Sequence, residues 1–230
     1  MVKSPAFVEE LSVAAARRLR TLGRVSSYVP KEPLLHQGAA VDDVIVIESG
    51  LVKVSTVADG GEEIILDLRG PGDVIGEMSA IDGEPRSATV AALIDTRARR
   101  IPAEVFRSAV TADAELSMGL LRYLVRHLRD SDRSRLRYVA ADSFERIVAL
   151  FVELATRHGE LRERGRIVVA VGLTHAELAQ AAAVSLEAFN RGLSKLRKAG
   201  IVSTTRRREL TINDLPMLRT ITTANPPNMS

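Results

Sequence analysis

The chain has 230 residues, of which 46% are hydrophobic and 27% charged, which excludes intrinsic disorder and fibrous architecture and suits one large or two modest domains. There is no cysteine, which removes disulfides, thiolate nucleophiles, cysteine zinc sites and cysteine-held iron–sulfur clusters and points to a reducing compartment, most simply the cytoplasm. The net charge of +3 is unevenly spread: residues 1–110 carry 13 basic against 16 acidic side chains (net −3), and residues 111–230 carry 19 against 13 (net +6), so a polyanion partner belongs to the second half.

Phe7, Leu11, Ala14, Ala15, Leu19 and Leu22 share one face of a helix expected over residues 7–22. The period then changes. Val44 to Ile47, Leu51 to Val57 and Ile64 to Leu68 are short β-branched runs, closed by Glu48-Ser49-Gly50, Asp59-Gly60-Gly61 and Gly70-Pro71-Gly72-Asp73. Strands at such spacing, from about 27 to 102, predict a β-sandwich or jelly roll. No apolar stretch has bilayer-spanning length, and Met1-Val2-Lys3-Ser4-Pro5 is no signal-peptide core, so a soluble, unprocessed chain with no membrane partner is expected.

From Pro102 to Val139 the pattern is helical, and Ser117, Leu121, Leu124, Leu128, Ser131, Arg135 and Tyr138 alternate by four and three. Such a heptad seam implies a partner helix, hence a homodimer, with packing on the domain's own core as the alternative. Arginines 122, 126, 129, 133 and 137 lie mostly off the seam and read as a solvated face. Residues 142–157 resemble another helix, and 159–165 read as a connector before the apolar run Ile167 to Val171, where a third unit begins. Thr174-His175-Ala176-Glu177 has the form of a capping box, and Ser185 caps a second helix that Gly200 stops near Lys198. The fold class is α+β: a β-domain over 1–112, a dimerisation helix over 113–139 and a DNA-binding unit over 140–230.

Gly72-Asp73-Val74-Ile75-Gly76-Glu77-Met78-Ser79 is followed by Asp82-Gly83-Glu84-Pro85-Arg86-Ser87-Ala88. A helical turn beginning at Gly76 offers free amides to an anion, Arg86 a charged fork and Ser87 a hydroxyl, while Glu77 suits a sugar hydroxyl. A glycine turn with one surface arginine is the plainer reading of the same spacing.

Taken together these residues resemble the phosphate-binding cassette of cyclic-nucleotide-binding domains. With Leu34-Leu35-His36-Gln37-Gly38 and Ile47-Glu48-Ser49-Gly50, they resemble the cyclic-AMP receptor protein (Crp–Fnr) superfamily over nearly the whole chain. The resemblance implies that Glu77 binds the ribose 2′-hydroxyl and that Arg86 and Ser87 bind the cyclic phosphate. Gly76, Met78, Ser79 and Ala88 complete the set. Two adjacent hydroxyl residues of the dimer helix contact the base in that family. Here the positions are Ser131 and Asp132, so one hydroxyl is replaced by an acceptor and the effector, cAMP or cGMP, stays open. His127 and Arg129 are candidate partners of Glu77, with plain surface exposure as the alternative.

The two capped helices around Ala183-Val184-Ser185 have the length of a helix-turn-helix, and Glu187, Asn190, Arg191 and Lys195 are chemically fit for base edges. A generic polar helix would show similar residues, but residues 186–210 hold seven basic against two acidic side chains, net +5. Duplex DNA rewards that imbalance by counterion release. Ile201 to Thr204 and Leu210 to Ile212 are strands joined by a basic wing containing Arg206, Arg207 and Arg208. Thr174 and Ser185 complete the DNA-contacting set. The family often begins its recognition helix Ser-Arg-Glu, with another arginine four residues after that Glu; here it begins Ser185-Leu186-Glu187 and keeps Arg191, so a different operator is implied.

The expectation is an allosteric transcriptional regulator with cAMP as effector and a double-stranded DNA operator and a second copy as partners; RNA polymerase is a further candidate partner. Two alternatives stay open: a regulator acting without nucleotide or with another small anion, and a nucleotide-controlled protein-interaction module. The four histidines are scattered, no catalytic motif occurs, and the missing cysteines disfavour iron–sulfur or cysteine-linked haem sensing, so no enzyme, metal, haem or cluster is expected.

Overall fold

The computed structural model describes residues 5–58, 61, 63–170, 172–204 and 209–223, and only the backbone of 133–140, 164, 222 and 223. A 3-10 turn (Phe7–Glu10) and α1 (Val13–Thr21) precede β1 (Arg24–Tyr28), β2 (Pro33–Leu35), β3 (Asp43–Ser49), β4 (Val52–Val57), β5 (Glu63–Arg69) and β6 (Val74–Ile75). Then come α2 (Glu77–Asp82), β7 (Thr89–Ala92), β8 (Thr96–Pro102), α3 (Ala103–Ala112) and α4 (Ala114–Ala140). The remainder is α5 (Ser143–His158), β9 (Glu160–Leu161), β10 (Ile167–Ala170), α6 (His175–Ala181), α7 (Leu186–Lys198), β11 (Val202–Thr204), β12 (Glu209–Ile212) and α8 (Leu215–Thr223).

The chain divides into two compact units between Asp130 and Ser131, within α4. In the first unit, antiparallel sheets of order β1-β8-β3-β6 and β2-β7-β4-β5 make the expected sandwich. β3 explains its unbroken apolar run. Ile45 and Ile47 join Leu34, Val52, Val90 and Ala98 in one core, while Val44 and Val46 turn the other way, onto Phe7, Leu19, Phe106, Leu116, Leu120 and Tyr123. Alternating side chains thus bury both faces of this strand.

Two expected helices are each broken by a cap. Over residues 7–22 the Ser12 hydroxyl accepts from the Ala15 amide, with Ser12 itself extended (φ −64°, ψ 158°), so α1 starts afresh there. The helical stretch after Pro102 is broken at Asp113, whose carboxylate accepts from the amides of Glu115 (3.0 Å) and Leu116 (3.4 Å).

In the second unit α5 begins at an Asp142–Glu145 capping box and buries Ile147, Val148, Phe151 and Leu154. Phe151 meets Phe189 of α7 edge to face at 6.0 Å. A Cβ on Gly192 would come within 2.7 Å of Ile147, so glycine lets α7 lie close on α5. Four antiparallel strands, ordered β11-β12-β10-β9, complete this unit. β9 falls inside the expected connector 159–165, where two exposed residues gave no strand periodicity.

Candidate functional site

The cassette is a strand–glycine–helix corner. β6 ends at Ile75, Gly76 adopts φ +77°, and α2 begins at Glu77. A Cβ at Gly76 would lie 2.6 Å from Arg86 Nη1 and 3.1 Å from Leu35, so both the left-handed backbone and the close approach require glycine. α2 closes at Gly83, whose amide donates to Ser79 O at 3.0 Å, and Arg107 braces it by donating to Ala80 O at 3.1 Å.

Arg86 is held from both ends. Its amide donates to Ala39 O (3.1 Å) and its carbonyl accepts from the Gly38 amide (2.8 Å). Its guanidinium donates to Gly76 O at 2.8 Å and to Asp43 O, and the residue is 4% exposed. Burial lowers its proton affinity, Asp42 and Asp43 oppose this, and Arg100 adds to it. The cost of burying this cation is thus offset in part by the neighbouring aspartates and by Glu77.

Glu77, 7% exposed, shares this corner. Burial raises its carboxyl above the ordinary range, Arg69 and Arg86 pull it back, and Asp73 adds to the rise. Ser87 and Met78 are exposed; Ser79 is buried with its hydroxyl on Pro85 O at 3.4 Å, and Ala88 is buried. Gly76, Glu77, Arg86, Ser87 and Ala88 are thus gathered around one turn. Ser131 and Asp132 are exposed on α4, beyond the unit that holds the cassette.

Sequence reasoning missed Arg69, at the end of β5. It pairs through Nε with Asp67 at 2.8 Å, while Nη1 reaches His127 Nε2 at 2.9 Å and donates to the Tyr123 hydroxyl. Burial works against the Arg69 charge, but Asp67, Tyr123, Asp73 and Glu77 outweigh it and raise its proton affinity. Tyr123 is itself fully buried; its hydroxyl is pushed well above the ordinary value by desolvation, and it donates to Val74 O at 3.3 Å. The available signal was Asp67 and Arg69, two apart and so on one face of a strand that is apolar from Ile64 to Leu66. His127 therefore sits on Arg69 and against the Tyr123 ring (centroids 4.2 Å apart), and Arg129 is exposed.

On α4 the outward apolar stripe is Met118, Leu121, Val125 and Leu128, each about half or more exposed. Leu124 is half-buried against the first unit's core, and the Ser117 hydroxyl donates to Val110 O. The side chains of Arg135 and Tyr138 lie outside the described residues. Arg122 and Arg126 are not a free solvated face: both pair with Glu10, at 3.3 and 2.9 Å.

In the second unit Thr174 and Glu177 form the expected capping box at α6. Ala183 takes φ +49° in the turn, and Ser185 accepts from the Ala188 amide at 3.1 Å to start α7. Phe189, Leu193 and Leu196 face the core; Glu187, Asn190, Arg191 and Lys195 are exposed. Arg191 donates to Glu187, Asn190 meets His175, and Lys195 Nζ lies 4.2 Å from the centre of the Phe144 ring. Leu186 is 47% exposed at the first helical position. β11 and β12 pair as expected, and Arg206, Arg207 and Arg208 lie outside the described residues.

Comparison with known proteins agrees with this division. Residues 25–113 match the family described as cyclic nucleotide-binding domain, and residues 145–221 the Crp-like helix-turn-helix domain. A CRP-like cAMP-activated global transcriptional regulator of Mycobacterium tuberculosis is 32% identical over 164 residues, covering 71% of this chain and 73% of that one. An anaerobic regulatory protein of Bacillus subtilis is 24% identical over 172 residues, 74% of this chain and 71% of that one. The structure of FixK2 from Bradyrhizobium japonicum superposes with a TM-score of 0.75 at 21% identity, covering 89% of this chain and all of that one, which supports the fold. A nucleotide-binding half, a helix-turn-helix half and a relative above 30% identity together establish that the chain belongs to the Crp–Fnr family of transcriptional regulators.

Proposed function

We propose that the protein is a cytoplasmic, homodimeric regulator that reads double-stranded DNA through α7 and the β11–β12 wing and is controlled by cAMP bound at Gly76, Glu77, Arg86, Ser87 and Ala88. The single observation that carries the ligand reading is Arg86: a buried guanidinium that donates to the carbonyl oxygens of Gly76 and Asp43, beside a buried glutamate. A cyclic phosphate suits the Arg86 guanidinium as a charge-assisted acceptor, and a ribose hydroxyl suits Glu77. cAMP rather than cGMP rests on the named activity of the M. tuberculosis relative. Ser131 and Asp132 are the candidate base contacts from α4, and the exposed stripe of α4 is the candidate dimer seam.

The ligand acts only through a preference for one arrangement of the DNA-binding units, so nucleotide and DNA affinities must rise together by the same factor. Calorimetric titration with cAMP and then cGMP, wild type beside Ser87→Ala and Arg86→Ala, tests the reading. Ser87 is exposed, so its loss removes a phosphate contact without disturbing the core. Tight binding weakened in both variants is expected. Absence of binding to either nucleotide would favour the second reading, a regulator acting without nucleotide or with another small anion, which Asp132 motivates by replacing a hydroxyl with an acceptor.

A further inference from the structure

His175 is the first residue of α6 and Asn190 lies in the second turn of α7, yet His175 Nδ1 stands 3.0 Å from Asn190 Oδ1. The histidine ring has a second contact. It tilts against Phe189 with centroids 5.6 Å apart, and Phe189 is fully buried against Phe151. The outer face of the recognition helix thus carries an asparagine whose carboxamide is gripped from the neighbouring helix. On the same face Arg191 is tied to Glu187.

We propose that His175 is a positioning residue that sets the base preference of Asn190, an inference that rests on the reading of α7 as the DNA-recognition helix. An unrestrained asparagine matches adenine with both ends of its amide, accepting from N6 and donating to N7. Here the Nδ1 proton of His175 occupies one lone pair of Oδ1 and turns that oxygen towards α6. With Oδ1 so engaged, the Nδ2 group of this exposed side chain is the atom left to meet a base, and it is a donor. A donor selects a base edge rich in acceptors; guanine, with adjacent N7 and O6, fits best, and the N6 amine of adenine is disfavoured. Rotating the amide to engage adenine with both atoms breaks the bond to His175.

The test is selection of full-length protein, with saturating cAMP and without nucleotide, on a randomised DNA duplex, followed by sequencing of the bound fraction. Wild type, Asn190→Ala, His175→Phe and His175→Ala are compared. His175→Phe keeps a ring against Phe189 and removes the donor; His175→Ala serves if the phenylalanine variant does not fold. The expected result is a guanine-preferring position in each half-site that Asn190→Ala flattens. At that position the histidine variants raise adenine relative to guanine by about fivefold or more, the lower end of what one base contact discriminates. An unchanged preference in the histidine variants overturns the inference, as does wild-type selection of cytosine there or an Asn190→Ala profile identical to wild type. Wild type selecting no sequence in either condition overturns the DNA reading itself and the inference with it.

Discussion

The Arg69 guanidinium engages Tyr123 twice, donating Nη1 to its hydroxyl and lying 5.7 Å from the centre of its ring. Arg69 closes β5 and Tyr123 is the buried centre of α4 in the first unit, so the pair fastens a strand of the sandwich to the helix that continues into the second unit. The same cation is the largest attractive charge on Glu77. Removing one partner of a buried charged cluster leaves the others without compensation, at a cost of about 3–5 kcal/mol. Arg69→Met is therefore expected to lose about that much stability in urea unfolding, and Tyr123→Phe about 1–3 kcal/mol for the lost hydroxyl. Losses under half a kilocalorie in both would show that the cluster is held by packing alone.

Glu77 gives a pH signature. Burial raises its carboxyl above the unfolded value, against the pull of Arg69. A group raised in the folded state contributes most to stability below its unfolded value and loses that contribution as the pH climbs through the folded one. Glu77→Gln does not titrate. Its melting temperature is expected to approach that of wild type at about pH 5 and to exceed it increasingly towards about pH 8, while cAMP affinity falls. A wild type that gains stability over Glu77→Gln as the pH rises contradicts this.

Gly76→Ala strikes backbone and site together. The left-handed conformation alone costs an L-residue about 1–2 kcal/mol. The new methyl also lies 2.6 Å from Arg86 Nη1 and 3.1 Å from Leu35, so the arginine must shift. Lower stability accompanied by loss of nucleotide binding is expected. Loss of stability with unchanged nucleotide affinity, read by calorimetry, would detach Gly76 from the site.

The cassette was legible because its chemistry is local: Gly76, Glu77, Arg86 and Ser87 lie within twelve residues of chain and their types announce their roles. The capping box at Thr174 and the inner face of α7 were legible for the same reason, whereas the box at Asp142 came only from the structure. Arg69 was not, since its partners Tyr123 and His127 are more than fifty residues away and only tertiary pairing brings them to it. The pairing of His175 with Asn190 was hidden likewise, because a histidine beside a capping threonine reads as surface until the two helices cross. The break at Ser12 was missed because apolar spacing carries across a cap that only its hydrogen bond exposes.

The seam read from periodicity divides in the structure of α4. A four-three alternation passes through both Leu124 and Leu121, but Leu124 packs on the first unit's own core, whereas Met118, Leu121, Val125 and Leu128 face outward. A stripe of that length left in water is costly, since each leucine carries about 1.5–3 kcal/mol of burial, and a second copy of α4 can cover it. Leu121→Glu combined with Leu128→Glu is therefore expected to convert a dimer into a folded monomer in sedimentation at micromolar concentration. Val125→Glu should weaken the dimer as well, although the sequence seam omits it. Leu124→Ala should leave the sedimenting mass unchanged and cost about 1–2 kcal/mol of stability, below the range for a fully buried leucine. A dimer that survives the paired glutamates, or dissociates on Leu124→Ala, would return the interface to the seam read from sequence.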